Sequence, residues 1–467
     1  MGAGTSLSGS SEPLNFVVLV SDTVRRDHLG AYGNDWIHTP ALDRFASRSV
    51  VFDNHHVGSF PTMPARADLL TGRLSMSFMT WAPLPTDIPT LPGLLSEAGY
   101  LTMGVVDTPF YIRNGFGYDR GFQDFIWIRG QGDGRRMEER VDARSTWRHE
   151  SDRWVARTVT AAEQWLERHH QEQFFLLVDV WDPHEPWDAP EFYTRLYAPD
   201  YDGRPTDPCY DDWRDAGLTE DDVRLAHASY AGEVTMVDRW LGRLIEKVDV
   251  LGITDRTVVV FLSDHGYYFG EHGYLGKSVW DPGLGTQSWS PLYREIVRVP
   301  LMISAPHVTP RRTGALTTLV DVPATILDLA GVAPPENLAG RPLSSVLAGS
   351  TDTHRELVIS GWPLEYQKGR ISIAVDSWPR RIAHDQPFTV TARGLSLVVG
   401  GPEDDLELYD LTADPAEETN IALDRPDDAI ALLEESLDEL VAIGAEPALL
   451  EPRRGALARF RAQISSA

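Results

Sequence analysis

The sequence has little cysteine and little positive charge. Cys209 is the single cysteine among 467 residues, so no disulfide can form within the chain. Lysine and arginine number 42 against 69 aspartates and glutamates, and the formal net charge at pH 7 is −27. Because a nucleic-acid-binding surface needs basic patches, we expect no nucleic-acid partner. An acidic surface also does not attract anions, so any anion site must be a local basic pocket.

Long apolar runs are also missing, and we expect no secretory signal in the first residues of the sequence. No apolar run reaches the length of a membrane span, and we expect no membrane partner. Residues 1–13 are rich in glycine and serine and lack the basic and apolar segments of a secretory signal. We therefore expect a flexible tail and a cytoplasmic protein, with a homo-oligomer left open.

Apolar strands alternate with amphipathic helices over the first 350 residues or so. The pattern predicts strands at residues 15–20, 174–180 and 257–262, and helices at 154–169 and 226–248. Polar residues cluster where the strands end. This alternation predicts an α/β fold, with a large, mostly parallel sheet flanked by helices and a site at its carboxyl edge.

The pattern changes after about residue 350. Short runs at residues 356–360, 371–375, 388–391 and 395–399 predict a smaller C-terminal antiparallel sheet. An acidic amphipathic helix is predicted at 426–443. The comparatively basic stretch 453–467 could be an arm against a neighbouring subunit or a frayed end, and the sequence favours neither.

These segments divide the chain into four parts. They are a tail (1–13), a catalytic α/β domain (14–350), an antiparallel subdomain (351–425) and a C-terminal helix with its arm (426–467).

Several predicted strands and one helix bring metal-binding side chains to the same edge. Asp22 follows the first strand, the adjacent pair Asp264 and His265 follows the strand at 257–262, and Thr62 begins a predicted helix. Two carboxylates, an imidazole and a hydroxyl suit a divalent first-row metal. Such a metal would lower the pKa of the Thr62 hydroxyl. A helix cap for Asp22 and a satisfied loop pair for the other two are the alternatives.

Three cationic or titratable side chains are candidates for catalysis beside Thr62. Arg66 lies one helical turn after Thr62 and could hold the nucleophile or contact an anion; a surface salt bridge is its alternative. Lys277 in a glycine-rich loop could stabilise anionic charge. His184, between two prolines, could bind the anion or protonate a leaving group, or be a loop histidine.

The motifs around these residues resemble those of a known family. Residues 62–66 (Thr-Met-Pro-Ala-Arg) and 69–73 (Leu-Leu-Thr-Gly-Arg) resemble the sulfatase signature, which begins with cysteine or serine. Residues 21–30, 182–184 and 263–266 carry further motifs, as do the segments 270–273 and 407–411. The chain is identified as a member of the alkaline phosphatase superfamily, on the branch of sulfatases and phosphonate monoester hydrolases. The resemblance implies an ester hydrolase with a small anionic ester substrate.

The resemblance also implies a metal and substrate contacts. Thr23 stands where sulfatases usually carry a second aspartate, and Asp107 lies near the place of their lysine and histidine. We predict both as substrate-binding residues, together with His272, which is equally a scaffold candidate. We expect one divalent ion, because an imidazole favours manganese, zinc or iron. Calcium or magnesium and a second metal, with Asp182, His184 or His272 as ligands, stay open.

Thr62 changes the chemistry that the signature implies. Sulfatases oxidise the first signature residue to formylglycine, and threonine cannot be converted into that aldehyde. Threonine at this position is typical of superfamily branches that act on phosphorus. A threonine alkoxide attacks phosphorus in line, and a second nucleophile resolves the phospho-threonine. A threonine-sulfate ester lacks the exit that formylglycine provides. The prediction is a metal-dependent hydrolase of phosphodiesters or phosphonate monoesters.

Three alternatives to this function remain. The first is a sulfuric ester hydrolase that works without formylglycine. The second is a phospho- or sulfo-group transferase, whose acceptor pocket would be shaped by tryptophans that can equally be packing residues: Trp181, Trp187, Trp280 and Trp289. The third is a sulfatase-fold protein that binds metal and anion without turnover.

Overall fold

The fold combines two sheets of different kinds. The computed structural model describes residues 13–79, 81–112, 116–128, 146–204, 206–281, 286–288, 290–363, 387–400 and 406–466. The strands are β1 Asn15–Ser21, β2 Val50–His56, β3 Leu101–Val106, β4 Asp124–Trp127, β5 Phe174–Val180, β6 Asp211–Asp212, β7 Thr257–Ser263, β8 Tyr268–Phe269, β9 Tyr274–Gly276, β10 Val279–Asp281, β11 Thr286–Ser288, β12 Leu301–Ser304, β13 Arg311–Thr318, β14 Leu357–Gly361, β15 Phe388–Ala392, β16 Leu395–Val399 and β17 Leu406–Asp410. The α-helices are α1 Pro40–Ala46, α2 Thr62–Thr71, α3 Leu91–Glu97, α4 Trp154–His169, α5 Glu191–Thr194, α6 Glu220–Val250, α7 Arg294–Val297, α8 Asp321–Ala330, α9 Ser344–Leu347, α10 Pro426–Ala442 and α11 Pro447–Ser466.

The main sheet has eight strands in the order β13-β2-β12-β7-β1-β5-β3-β4. Adjacent strands of this sheet pair in parallel, except that β12 runs antiparallel to both β2 and β7. Every residue of the central strands β1, β5 and β7 is buried, as expected for a parallel sheet covered by helices on both faces. The predicted fold class is confirmed.

Alternate residues of β1 enter two different hydrophobic cores. Phe16, Val18 and Val20 belong to the core that includes α2 and α8, whereas Val17 and Leu19 belong to the core that includes α4 and α6. Side chains of a strand alternate between its two faces, so α2 and α6 cover opposite faces of the sheet. The sheet thus places the start of α2 at a fixed distance from the strand ends.

The second sheet is antiparallel, in the order β14-β15-β16-β17, and is covered by α10 and α11. Leu457 and Phe460 of α11 are buried in its core. The stretch 453–467, expected as an arm or a frayed end, is therefore helical up to Ser466 and packs on its own chain. The predicted strand at 371–375 and the tail up to residue 12 lie outside the described residues.

Helix boundaries differ from the sequence prediction where caps operate. Helix α6 begins at Glu220 rather than Ala226, because Thr219 and Asp222 form a capping box. Within the described part of the chain, no helix is long and apolar enough to cross a membrane.

Candidate active site

Two neighbouring strands place three candidate ligands together. Ser21 at the end of β1 pairs with Ser263 at the end of β7, so Asp22 and Asp264 leave the sheet side by side. One carboxylate oxygen of each and a ring nitrogen of His265 lie within 4.8 Å of one another. All three side chains are buried. Among the described residues, this is the one group of three such ligands.

His265 presents its Nε2 ring nitrogen to the two carboxylates. Its Nδ1 lies 2.9 Å from the carbonyl oxygen of Gly266, to which it can donate. Its Nε2 lies 3.8 Å from Asp22 Oδ1 and 3.4 Å from Asp264 Oδ2. Burial lowers the pKa of His265 to about 3, although Asp264 acts in the opposite direction. A neutral imidazole oriented through its other nitrogen is the form that binds a metal.

The two carboxylates differ in how they are satisfied. Asp264 Oδ1 accepts the backbone N–H groups of Thr23 at 3.0 Å and His265 at 2.9 Å. Burial opposes ionisation of Asp264, but Arg66, His265 and the hydrogen bonds to the carboxylate together lower its pKa to about 2.

Asp22 is the less satisfied of the pair. Burial and then Asp264 raise the pKa of Asp22 well above its ordinary value. Neither of its oxygens has a hydrogen-bond donor within the described part of the chain, although Arg66 Nη1 lies 2.9 Å from Oδ2. A bound cation would satisfy these oxygens.

Thr62 faces this group from the first turn of α2. Its Oγ1 lies 3.4 Å from His265 Nε2, and the residue is 2% exposed. The amino end of a helix favours negative charge, which suits a hydroxyl that must ionise. All ten residues of α2 are buried. Thr62 is therefore held beside the ligands by a helix inside the core.

Arg66 lies in the same buried environment, which excludes the alternative of a surface salt bridge. Its Nη1 forms ion pairs with Asp22 and Asp264 and donates to the Thr62 carbonyl oxygen at 3.2 Å. Its Nε and Nη2 donate to the two oxygens of Asp179 at 2.9 and 2.8 Å. This bidentate contact fixes the guanidinium plane.

Asp179 is the residue that sequence reasoning missed. Thr108 Oγ1 and the Tyr111 hydroxyl each donate to it at 2.7 Å, so Arg66 binds a carboxylate that is itself held in place. The available signal was a lone carboxylate in the apolar strand β5. Its partner Arg66 lies 113 residues away in the chain, which a single sequence does not reveal.

His184 and Lys277 meet across two loops. Lys277 Nζ lies 2.5 Å from His184 Nε2, and His184 Nδ1 lies 2.7 Å from the carbonyl oxygen of Glu185. The imidazole stacks on Trp181, with 3.7 Å between ring centres. Burial and then Lys277 lower the pKa of His184 well below its ordinary value, so the ring is neutral and accepts from Lys277.

The three predicted substrate-binding residues have different surroundings. Thr23 adjoins the ligands through its N–H, and its Oγ1 is buried without a hydrogen-bond partner in the described part of the chain. Asp107 instead accepts from Trp181 N at 2.5 Å and Thr158 Oγ1 at 2.8 Å. His272 stacks on a tyrosine and lies 3.4 Å from Glu295. Substrate binding by these residues stays a prediction.

Two of the tryptophans weighed for an acceptor pocket have described side chains. Trp187 is 1% exposed and packs among Tyr230, Tyr267 and Phe269, so it is a packing residue. Trp181 stacks on His184 and is 5% exposed. The side chains of Trp280 and Trp289 lie outside the described residues.

The matching family model and two curated relatives that this chain resembles are all sulfatases. Residues 14–332 match the sulfatase family model. The chain is 24% identical to an arylsulfatase of Clostridium perfringens, over 87% of this chain and 90% of that protein. It is 27% identical to a choline-sulfatase of Rhizobium meliloti, over 83% and 78%.

Solved structures with a similar fold include proteins whose names indicate different activities. A phosphonate monoester hydrolase of Agrobacterium radiobacter superposes with a TM-score of 0.73 and 22% identity, covering 92% of this chain and 96% of that one. A protein solved in complex with its substrate D-glucosamine-2-N,6-O-disulfate gives a TM-score of 0.70 and 20% identity, covering 93% and 99%.

Proposed function

The chain belongs to the sulfatase family and is a hydrolase of ester bonds, and from this premise we propose that it hydrolyses phosphodiesters or phosphonate monoesters with Thr62 as nucleophile. The observation that carries the proposal is the placement of Thr62 Oγ1 at 3.4 Å from His265 Nε2. A hydroxyl that cannot become an aldehyde stands where the signature has an oxidisable residue. The substrate would be a small anionic ester.

The residues around Thr62 fit a divalent metal. Asp22 has buried oxygens without a hydrogen-bond donor among the described residues, and His265 turns a neutral nitrogen toward them. A single ion held by Asp22, Asp264 and His265, with Thr62 as a further ligand, would lower the pKa of the Thr62 hydroxyl and polarise the substrate oxygen. The imidazole favours manganese, zinc or iron.

The protein side chains would supply the nucleophile, the charge stabilisation, the proton for the leaving group and the positioning of the ligands. Thr62 Oγ1 forms the bond to phosphorus while the bond to the leaving oxygen breaks, and water then cleaves the phospho-threonine. Lys277 would neutralise phosphoryl charge. Because His184 is neutral, its Nε2 would first take a proton from Lys277 Nζ, which lies 2.5 Å away, and then pass it to the leaving oxygen. Arg66, held by Asp179, would keep the two aspartates and the Thr62 turn in place.

Sulfate ester hydrolysis is the second candidate. The curated relatives named above are sulfatases, which favours sulfur. Threonine favours phosphorus, because a threonine-sulfate ester has no internal route for expelling sulfate. A group transferase and a binding protein without turnover are the further alternatives.

A substrate panel tests the proposal. The metal-loaded enzyme is assayed with an aryl phosphodiester, an aryl phosphonate monoester and an aryl sulfate that share one leaving group. We expect kcat/KM to be at least about tenfold higher for a phosphorus ester, the scale of a clear difference in transition-state stabilisation. Acid quenching and peptide mapping should find, on Thr62, the phosphoryl or phosphonyl group of the substrate that remains after the leaving group has departed.

Each alternative has its own outcome in this panel. Turnover of the sulfate alone would overturn the phosphorus proposal. Formation of a new ester with an added alcohol, in place of the free acid, would identify a transferase. Metal and anion binding with no turnover of any ester would identify a binding protein.

A further inference from the structure

A cleft outside the candidate active site is lined by arginines. One cavity of about 330 Å³ is lined by Arg25, Arg26, Arg294 and Arg298, with Asp27, Glu271 and Glu295. A second cavity of about 450 Å³ shares Arg294 and Arg298. None of the predicted metal ligands lines either cavity, nor do Thr62 and Lys277. In a chain with a net charge of −27, such a grouping is unexpected.

Arg298 is held in position by neutral oxygens. Its Nε donates to the carbonyl oxygen of Asp53 and its Nη2 to Asn54 Oδ1, both at 2.9 Å. Burial and then the charges of Arg26 and Arg294 lower the pKa of Arg298 to about 10. Like charges therefore crowd this guanidinium, and an anion would relieve them.

Arg294 and Arg26 complete the group. The guanidinium of Arg294 donates to the carbonyl oxygen of Pro415, and the ion pairs of the described residues include neither Arg294 nor Arg298. Arg26 shares the carboxylate of Asp53 with Arg312. The Nε of Arg26 is buried without a hydrogen-bond partner in the described part of the chain.

The nearby acids have other partners. Asp27 and Glu271 both bind Arg25, at 2.6 and 2.5 Å, and Glu295 Oε2 lies 3.4 Å from His272 Nε2. On the side of the second cavity, Glu417 accepts the backbone N–H of Arg294 at 2.6 Å. Among the described residues, none of the acids that line the cavity, Asp27, Glu271 and Glu295, forms an ion pair with the guanidinium groups of Arg294 and Arg298.

We propose that Arg26, Arg294 and Arg298 form a second anion site, which binds a compact tetrahedral oxyanion such as phosphate or sulfate. Guanidinium groups match the oxygens of these ions with paired N–H donors. A cavity of about 330 Å³ holds such an ion together with water or a small attached group. The site does not depend on which ester the enzyme hydrolyses.

Calorimetric titration of the metal-loaded, full-length protein with inorganic phosphate tests this site. The Lys277→Gln variant weakens binding at the candidate active site and should leave a second class of phosphate binding. Adding Arg294→Gln should weaken that class by about tenfold or more, the order expected for losing a charged hydrogen-bonding partner. Glycerol phosphate in place of phosphate distinguishes a phosphate group on an organic molecule from the free ion.

Arg224→Gln is the matched control, because Arg224 pairs with Asp221 at the surface and lines neither cavity. It should change the phosphate affinity by less than about twofold. Melting curves check folding, and Arg294→Lys serves as the charge-preserving variant if Arg294→Gln unfolds. Phosphate binding that survives loss of Arg294, or that disappears with Lys277→Gln alone, would overturn the proposal. Ester hydrolysis without added phosphate should be unchanged in Arg294→Gln, which separates this test from that of the proposed function.

Discussion

The two halves of the candidate active site are held in different ways. Asp22, Asp264 and His265 directly follow two adjacent parallel strands, whose register brings them together. His184 and Lys277 stand on loops after β5 and β9 and meet through one side-chain contact of 2.5 Å. We call the first group the strand half and the second the loop half.

The difference indicates how each half responds to substitution. In the strand half, ladder hydrogen bonds and buried neighbours fix every ligand, so the loss of one side chain removes a function without moving the others. In the loop half, each residue depends on the other and on the stacking of Trp181. We therefore expect the largest losses of activity from the strand half and the nucleophile beside it.

Replacement of the nucleophile should have the largest effect. Thr62→Ala removes the only group proposed to form the covalent bond, and we expect kcat/KM to fall by about 10⁴-fold, as in other enzymes that lose a nucleophile. Thr62→Ser retains a hydroxyl and should keep measurable turnover. Full activity in Thr62→Ala, measured with the preferred ester, would remove Thr62 from the mechanism.

Replacement of a carboxylate among the predicted metal ligands should cause the second-largest loss of activity. Asp22→Asn removes one charge from the strand half, and we expect bound metal to fall well below one equivalent, with activity reduced by about 10²-fold or more. Elemental analysis of the purified variant measures the metal. Asp249→Asn, at an exposed ion pair with Arg48, is the control and should keep both metal and activity. Unchanged metal content in Asp22→Asn would exclude Asp22 as a ligand.

A smaller loss of activity is expected from Asp179, because it acts only by holding Arg66. Asp179→Asn takes the charge from the carboxylate that holds the guanidinium, and we expect kcat to fall by about 10- to 100-fold. Tyr111→Phe removes one donor to the same carboxylate and should cost less than about tenfold. Equal losses in both variants would mean that Asp179 serves packing and not the position of Arg66.

The last expected effect concerns stability and pH at Glu233 of α6, which accepts a hydrogen bond from Asp188 in the loop after β5. Burial and then Asp188 raise the pKa of Glu233 to about 8 from an ordinary value of 4.5. A carboxyl with a raised pKa in the folded state favours folding fully below pH 4.5, and this contribution is lost as the pH rises through about 8.

Glu233→Gln tests this dependence. In the parent, the N–H of Asp188 donates to Glu233 Oε1 at 2.6 Å, and the glutamine keeps an acceptor for it. The variant should raise the free energy of unfolding at pH 8 by up to about 4 kcal/mol, the value that follows from the full pKa shift. At pH 4 the variant and the parent should be equally stable, because the carboxyl is neutral in both states. Denaturant unfolding at the two pH values measures the difference, and a loss of stability at pH 8 would contradict the assignment.

The sequence predicted the strand half better than the loop half. Asp22, Asp264 and His265 end apolar strands, and the carboxyl ends of parallel strands share one edge; the structure brings these residues together with Thr62. The contact between Lys277 and His184 depends on the paths of two loops, which no periodic pattern encodes. Asp107 follows a strand as Asp22 does, yet it bonds to Thr158 of α4 and to the loop at Trp181.

In the second sheet, too, the sequence predicted some elements and missed others. Its strands β15 and β16 were predicted closely, since each is a short apolar run between turn residues. The sequence indicates a family motif at residues 407–411 and no strand, whereas β17 lies there. For residues 453–467 it leaves an arm and a frayed end open, although Leu457 and Phe460 of α11 pack against the sheet. The apolar face of this helix is visible only once a partner surface is known.

The complete burial of α2 has a consequence for the life of the protein. Another enzyme can alter the side chain at its first position only before the chain folds, because afterwards the residues of the helix are buried and only a small substrate could approach Thr62. Threonine already carries its hydroxyl when it leaves the ribosome. The proposed nucleophile is thus complete at synthesis, and folding with uptake of metal is all that should separate the new chain from a working enzyme.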